Sequence, residues 1–236
     1  SLSKVVSGRL SDHAATRKPF LLAGYGLPFF VRPLLALATS PWYVLSFRFL
    51  DRLGKGIRTA PRDALIAENA NQDIYGRAYG LHRAMDSLGA TLGPLLAVLL
   101  LPSLGFRTIF WLSMIPAALC ILVIMTLVKE KRTEPKPLAP FRFKNYSPTY
   151  LRFLIVSGVF TLALSSNTFL LLKLKEVGFS DTQSIFIYAL YNLSYALIAY
   201  PLGALADALG RKRLVVWSLA LYGLVYVGFG FASQAW

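Results

Sequence analysis

A chain of 236 residues that is 56% hydrophobic and 15% charged, with a mean hydropathy of +0.54, is too apolar for an ordinary soluble domain and fits a protein whose solvent is lipid. The formal net charge of +14 does not point to nucleic acid, because the basic residues fall in short clusters between apolar runs, the pattern that orients membrane proteins. The single Cys120 excludes an internal disulfide and any multi-cysteine metal site, and His13 and His82 lack ligand-like spacing, so no metal or other cofactor is expected.

Before the first long apolar run sits "SKVVSGRLSDHAATRK", whose first residues read as the tail of a helix. Residue 1 is Ser and Trp236 lies inside an apolar run, so a longer protein is expected. A membrane-crossing helix takes about 20 predominantly apolar residues. Runs of that kind occur at 19–39, 78–101, 107–128, 150–173, 182–202 and 214–236. Between them, "KEKRTEPKPLAPFRFKNYSPT" over 129–149 mixes charge with four prolines and is expected to be a linker rather than a packed element. This divides the chain into an N-terminal helix bundle over 1–128, a basic cytoplasmic linker over 129–149 and a C-terminal bundle over 150–236.

The stretch "RFLDRLGKGIRTAPRD", Arg48 to Asp63, is the exception, with seven charged side chains in sixteen residues. Loop parity decides its role. If it crosses, Arg9, Arg17 and Lys18, the cluster from Lys55 to Arg83, the basic linker and Arg211 to Arg213 share one side, leaving only Arg107, Lys173 and Lys175 opposite. If it does not cross, every later loop changes side and the positive-inside rule fails. Crossing brings the count to about seven transmembrane helices. Arg48, Asp51, Arg52 and Lys55 would cost about 2.5 to 3.5 kcal/mol each at mid-membrane, so neighbouring helices must shield this one. At about 100° per residue, Arg48, Asp51, Arg52, Lys55, Arg58, Arg62 and Asp63 fall within an arc of about 140°, which predicts one charged face turned to a water-filled cavity. Pro61 is expected to kink or end the helix. An amphipathic helix on the membrane surface is the competing reading.

Two loops repeat. "GRLSDHAATRKP" from Gly8 and "GALADALGRKRL" from Gly203 each carry Gly, an Asp four residues on and then a basic pair, at an offset of 195 residues. With six crossings between them, they mark two parallel halves. "GALADALGRKR" resembles the loop motif between helices 2 and 3, and again between helices 8 and 9, of the major facilitator superfamily (MFS). The copy at Gly203 has Asp207, Gly210, Arg211 and Arg213 in place; the copy at Gly8 keeps Asp12, Arg17 and Lys18 but has Ala15 or Thr16 where the second glycine stands. "GATLGPLLA", with Gly89, Gly93 and Pro94, is similar to the fifth-helix motif of antiporters in that family.

The resemblance implies an all-α membrane protein, an MFS-type helical bundle of which this chain spans the end of helix 2 to helix 9 of an expected twelve. It places the charged stretch on helix 4, one of the four that line the central cavity. It also implies a conformational latch in which Asp12 or Asp207 and the neighbouring basic residues hold helix ends together, with Asp63 a possible partner of Arg17 or Lys18. Asp86 lies at the depth of Asp51 and Arg52 and is expected to approach Arg48, Arg52 or Lys55, or to pair locally with Arg83 at i, i+3. A membrane carboxylate beside arginines can take up and release protons. Surplus positive charge on the stripe suits an anionic or partly anionic solute. On helix 7, "SSNT" places Asn167 near mid-membrane, either to bind solute or to bond between helices. On helix 8, Tyr188, Tyr191, Asn192 and Tyr195 share a face, the ordinary pattern of a packed core.

The expected activity is therefore secondary transport of a small solute, proton-coupled and of export type, in a bacterial inner membrane with the basic loops cytoplasmic. Its partners are lipid, solute and protons. A non-transporting sensor with the same fold is the alternative. Enzyme signatures are absent: no Gly-x-Ser-x-Gly elbow or phosphate-cradling Gly-x-x-x-x-Gly-Lys loop occurs.

Overall fold

The computed structural model describes residues 2–14, 16–130, 147–163, 167–176 and 178–231. Among them the regular elements are all helical: α1 (Leu2–His13), α2 (Lys18–Leu34), α3 (Pro41–Asn69), α4 (Tyr75–Leu112), α5 (Met114–Thr126), α6 (Pro148–Ala163), α7 (Asn167–Glu176), α8 (Asp181–Leu209) and α9 (Arg211–Phe231). Short 3-10 turns follow α2 at Leu35–Leu37 and precede α4 at Gln72–Ile74. Most of the expected linker, residues 131–146, lies outside the described residues, as do Ser165 and Ser166.

Three stretches, Lys18–Leu37, Gln72–Thr126 and Asp181–Leu209, are long and apolar enough to cross a membrane. The second holds two crossings. α4 breaks at Gly105, whose φ of 68° only glycine adopts without strain, so the chain turns between the expected runs 78–101 and 107–128. A second positive φ, 89° at Gly210, stops α8 and starts α9.

α3 has 29 residues, a length of about 43 Å and ample for a crossing, although its charge keeps its mean hydropathy low. Ser40 caps it, accepting from the Trp42 N–H at 3.4 Å, and Pro41 occupies the first turn, where a missing N–H has no cost. Pro61 does not end this helix, as the sequence allowed. The helix runs eight residues further to Asn69, with Pro61 fully buried. Burial of the ring offsets the one hydrogen bond that proline removes.

What holds the helices together is small and polar rather than bulky and apolar. The buried set includes Ser7, Ser11, Thr59, Ser87, Thr91, Ser184 and Asn192, while Leu99, Trp217 and Leu224 are among the many large apolar side chains left exposed. An aqueous core inverts this arrangement; a bundle in lipid needs close backbone contact instead. α2 and α3 meet at Gly24 and Gly54, where an added Cβ on Gly54 would lie 2.8 Å from Pro28 Cδ. α1 joins α3 through the Ser7 hydroxyl, which donates to the Gly56 carbonyl at 3.0 Å. α4 lies along α8 at Gly76, Gly80 and Gly203, and a Cβ on Gly80 would come within 2.7 Å of the Ala199 carbonyl oxygen. Deeper in the same seam, the Thr91 hydroxyl reaches the Ala189 carbonyl at 3.4 Å.

Candidate functional site

Two groups of residues stand out: clamps at the basic ends of the helices, and a polar face deeper in the bundle.

The clamp at α8 is built on backbone. Asp207, four residues after Gly203, accepts from the Gly76 N–H at 2.7 Å and from the Arg77 N–H at 2.9 Å. These are orphan donors of the first turn of α4, where the helix dipole also favours a carboxylate. Arg211 donates to the Gln72 carbonyl at 3.1 Å and lies 5.2 Å from the Tyr75 ring. Gly203 is what lets Asp207 arrive, since a Cβ there would overlap the Gly76 carbonyl. Gly210 supplies the turn, and Arg213 is exposed.

The other copy of the motif uses side chains. Arg17 is nearly buried and pairs with Asp12 at 3.2 Å and with Glu68 at 2.7 Å. Asp63 is not its partner; that carboxylate pairs with Arg62 at 2.9 Å. The reason is helix length. Because α3 continues past Pro61, it carries Glu68 rather than Asp63 to the level of the α1–α2 loop. Glu130 accepts from the backbone N–H groups of Arg17 and Lys18, capping α2. The Lys18 ammonium donates in turn to the carbonyls of Met125 at 2.7 Å and Val128 at 3.3 Å, at the end of α5. Gly8 fits against Ala60. Glu68 and Glu130 escaped sequence reading, because neither belongs to the repeat that singled out the other residues.

On the polar face the charged arc of α3 divides. Asp51 turns to α2 and pairs with Arg32 at 3.1 Å. Arg58 also faces α2, donating to the Gly24 carbonyl at 3.1 Å with its guanidinium 4.3 Å from the Tyr25 ring. Arg48, Arg52 and Lys55 are exposed and have no ion-pair partner among the described residues. Asp86 does not form an ion pair with any of these three. It lies 3.9 Å from Arg62, 3.5 Å from His82 and 4.0 Å from Arg83, so both the contact with α3 and the local i, i+3 pair exist. The Tyr79 hydroxyl donates to the Asp63 carbonyl at 2.7 Å, binding α4 to α3 beside this cluster. His82 was read only as a failed metal ligand; its i, i+4 spacing to Asp86 was the available signal.

A groove of about 580 Å³ runs beside the α4–α8 seam, lined by Tyr75, Tyr79, Arg83, Tyr195, Ile198 and Arg211 among others. Of the helix-8 stripe, Tyr188 and Tyr191 stack at 6.4 Å, while Asn192 is buried and bonds to the Tyr188 carbonyl at 2.8 Å. Gly89 and Gly93 meet no neighbour within 4 Å among the described residues, and Pro94 lies inside α4. Asn167 opens α7; its side chain lies outside the described residues.

The family model of the Major Facilitator Superfamily matches residues 1–172 and 153–236, which together span the chain. The chain belongs to this superfamily. An uncharacterized MFS-type transporter of Methanocaldococcus jannaschii is 35% identical over 98% of the chain and 60% of its own length. An uncharacterized protein of Mycobacterium bovis is 27% identical over 98% of the chain and 59% of its own length. The multidrug resistance protein MdtG of Dickeya zeae is 28% identical over 97% of the chain and 58% of its own length. The chain thus spans about three fifths of the curated relatives it matches. No solved structure matches it. MFS membership makes it part of an all-helical integral membrane protein, in a family of transporters rather than enzymes.

Proposed function

We propose that the chain forms the end of helix 2 to helix 9 of a secondary active transporter that moves a small solute by alternating access. Residues 1–128 and 150–236 belong to its two bundles, and 129–149 form a basic linker on the cytoplasmic side of a bacterial inner membrane. The observation that carries this reading is the α4–α8 seam, closed at one end by Asp207 on the Gly76 and Arg77 N–H groups, beside exposed cations on α3. A carrier needs a solute site in the membrane and a closure weak enough for binding to reverse it. Asp207 supplies such a closure, because two hydrogen bonds and a helix-dipole contact amount to only a few kcal/mol. Asp12, Arg17, Lys18 and Glu68 act as the corresponding latch in the first half, with Asp63 serving the deeper cluster.

Asp86 is the proposed proton carrier. Its carboxylate is shared among Arg62, Arg83 and His82, so a change in its protonation redistributes the ion pairs between α3 and α4. Export is favoured by the relatives named as multidrug resistance proteins and by the Gly89–Pro94 motif. The test is uptake and efflux of a panel of metabolites and drugs by the full-length protein in proteoliposomes under an imposed pH gradient. Asp51, Arg52 and Asp86 are substituted in turn. Asp86→Asn is expected to abolish pH-driven flux while leaving solute exchange. Unchanged flux in all three variants rejects the site, and no flux for any solute rejects transport.

A further inference from the structure

Three cations on α3, Arg48, Arg52 and Lys55, have no ion-pair partner among the described residues. Among the described residues, the carboxylates on this side of the bundle each have a cation: Asp51 has Arg32, Asp63 has Arg62, and Asp86 is shared by Arg62 and Arg83. Arg58 is satisfied by the Gly24 carbonyl and the Tyr25 ring. Arg48, Arg52 and Lys55 remain, at i, i+4 and i+7 on one face and spread over about 10 Å of helix. Unpaired cations at membrane depth are costly unless water or a counter-ion meets them. α3 packs at Gly54 against α2 and at Gly56 against α1, and Arg48, Arg52 and Lys55 stay exposed beside these contacts.

We propose, resting on the transporter reading above, that the solute crosses as an oxyanion whose negative group is held by Arg48, Arg52 and Lys55. The guanidinium fork matches carboxylate and phosphoryl oxygens in two-point fashion, and the lysine adds a mobile point charge.

The test reads the electrostatics without turnover. In the full-length protein with Cys120→Ala, Val44→Cys places a thiol one turn before Arg48, at an exposed position. It is labelled with two methanethiosulfonates of similar size, one bearing a sulfonate and one a trimethylammonium group. Unit charges about 6, 12 and 16 Å along the helix favour the anionic reagent about fourfold or more, relative to a small thiol in solution, after screening. Arg48→Gln is expected to remove most of that preference, and Arg52→Gln with Lys55→Gln together to lower it by a smaller, measurable factor. Millimolar phosphate monoester or dicarboxylate should slow the labelling, and whichever does so names the oxyanion. A ratio equal to that of the small thiol, a preference unaltered by these substitutions, or protection by an organic amine alone overturns the assignment. Because labelling needs no transport, a missing preference alongside intact flux rejects the anion and leaves the carrier, while an intact preference without flux does the reverse.

Discussion

Removing the Asp207 carboxylate should open the basic end of the α4–α8 seam. In Asp207→Ala two backbone N–H groups, those of Gly76 and Arg77, lose their acceptor. The site is half-exposed, so water replaces part of the loss, and the net cost is about 1 to 3 kcal/mol, with about 0.3 to 1 kcal/mol of it from the helix dipole. If Asp207 makes these bonds only when the seam is closed, the closed-to-open ratio falls by about fivefold to about 150-fold. Asp207→Asn keeps one acceptor oxygen and should give a smaller shift. The reporter is Ser87, only 8% exposed and next to the Thr91 contact with α8. Ser87→Cys in a Cys120→Ala background exchanges one small side chain for another. Alkylation of that thiol by N-ethylmaleimide should accelerate about tenfold or more in Asp207→Ala, and less in Asp207→Asn. A change under twofold, or slower labelling, would refute the clamp as a determinant of the closed seam.

Two further outcomes follow from the packing. Glu68→Ala strips the nearly buried Arg17 guanidinium of its shorter ion pair, leaving the pair with the exposed Asp12, and should destabilise the protein by about 1 to 2 kcal/mol. Thermal unfolding in detergent should therefore drop more for Glu68→Ala than for Asp12→Ala. Gly54→Leu drives a side chain into Pro28 and the Gly24 carbonyl, an overpacking cost of about 1 to 3 kcal/mol or more, because backbone cannot yield as a side chain does. Size-exclusion profiles of the purified variant should show loss of monodisperse protein, whereas Gly26→Leu, with nothing within 4 Å among the described residues, should not.

The sequence made the helices legible because each crossing is long and its ends are punctuated by charge, glycine or proline. Gly105 and Gly210 fall in the gaps between expected runs, and both have the positive φ that makes a gap a turn. The clamp was partly legible: the Gly-Asp spacing identified Asp207 as a latch residue, but its partners are main-chain N–H groups, which leave no mark on residue identity at 76 and 77 beyond the glycine needed for close approach. Helical angle alone could not divide the charged arc of α3. Asp51 and Arg58 share that arc with Arg48, yet α2 presents Arg32, Tyr25 and the Gly24 carbonyl on one edge of it and draws those two away. The expected partner of Arg17 missed for a simpler reason. The proline left open whether the helix kinks or ends there, and a buried proline within a well-packed helix does not end it.

The arrangement of α4 yields the sharpest test of whether the two groups of residues act together. Its first turn is held by Asp207, and Asp86, ten residues beyond Gly76 and so about 15 Å along the same helix, is held to α3 through Arg62. No proline interrupts α4 before Pro94. A rigid rod fastened at both points cannot release one end without turning or sliding the other, so two sites too distant for direct contact would share one two-state element. Substitutions more than about 10 Å apart usually add to within about 0.3 to 0.5 kcal/mol. If α4 moves as a unit, Asp86→Asn and Asp207→Ala should instead show coupling above that level in a double-mutant cycle. The quantity measured is the Ser87→Cys alkylation rate, converted to an opening free energy for each variant. With Asp86 neutralised, Asp207→Ala should open the seam by a different factor than it does alone. Strict additivity would mean that α4 bends between the clamp and the polar cluster, and that solute or proton binding must reach the seam by another helix.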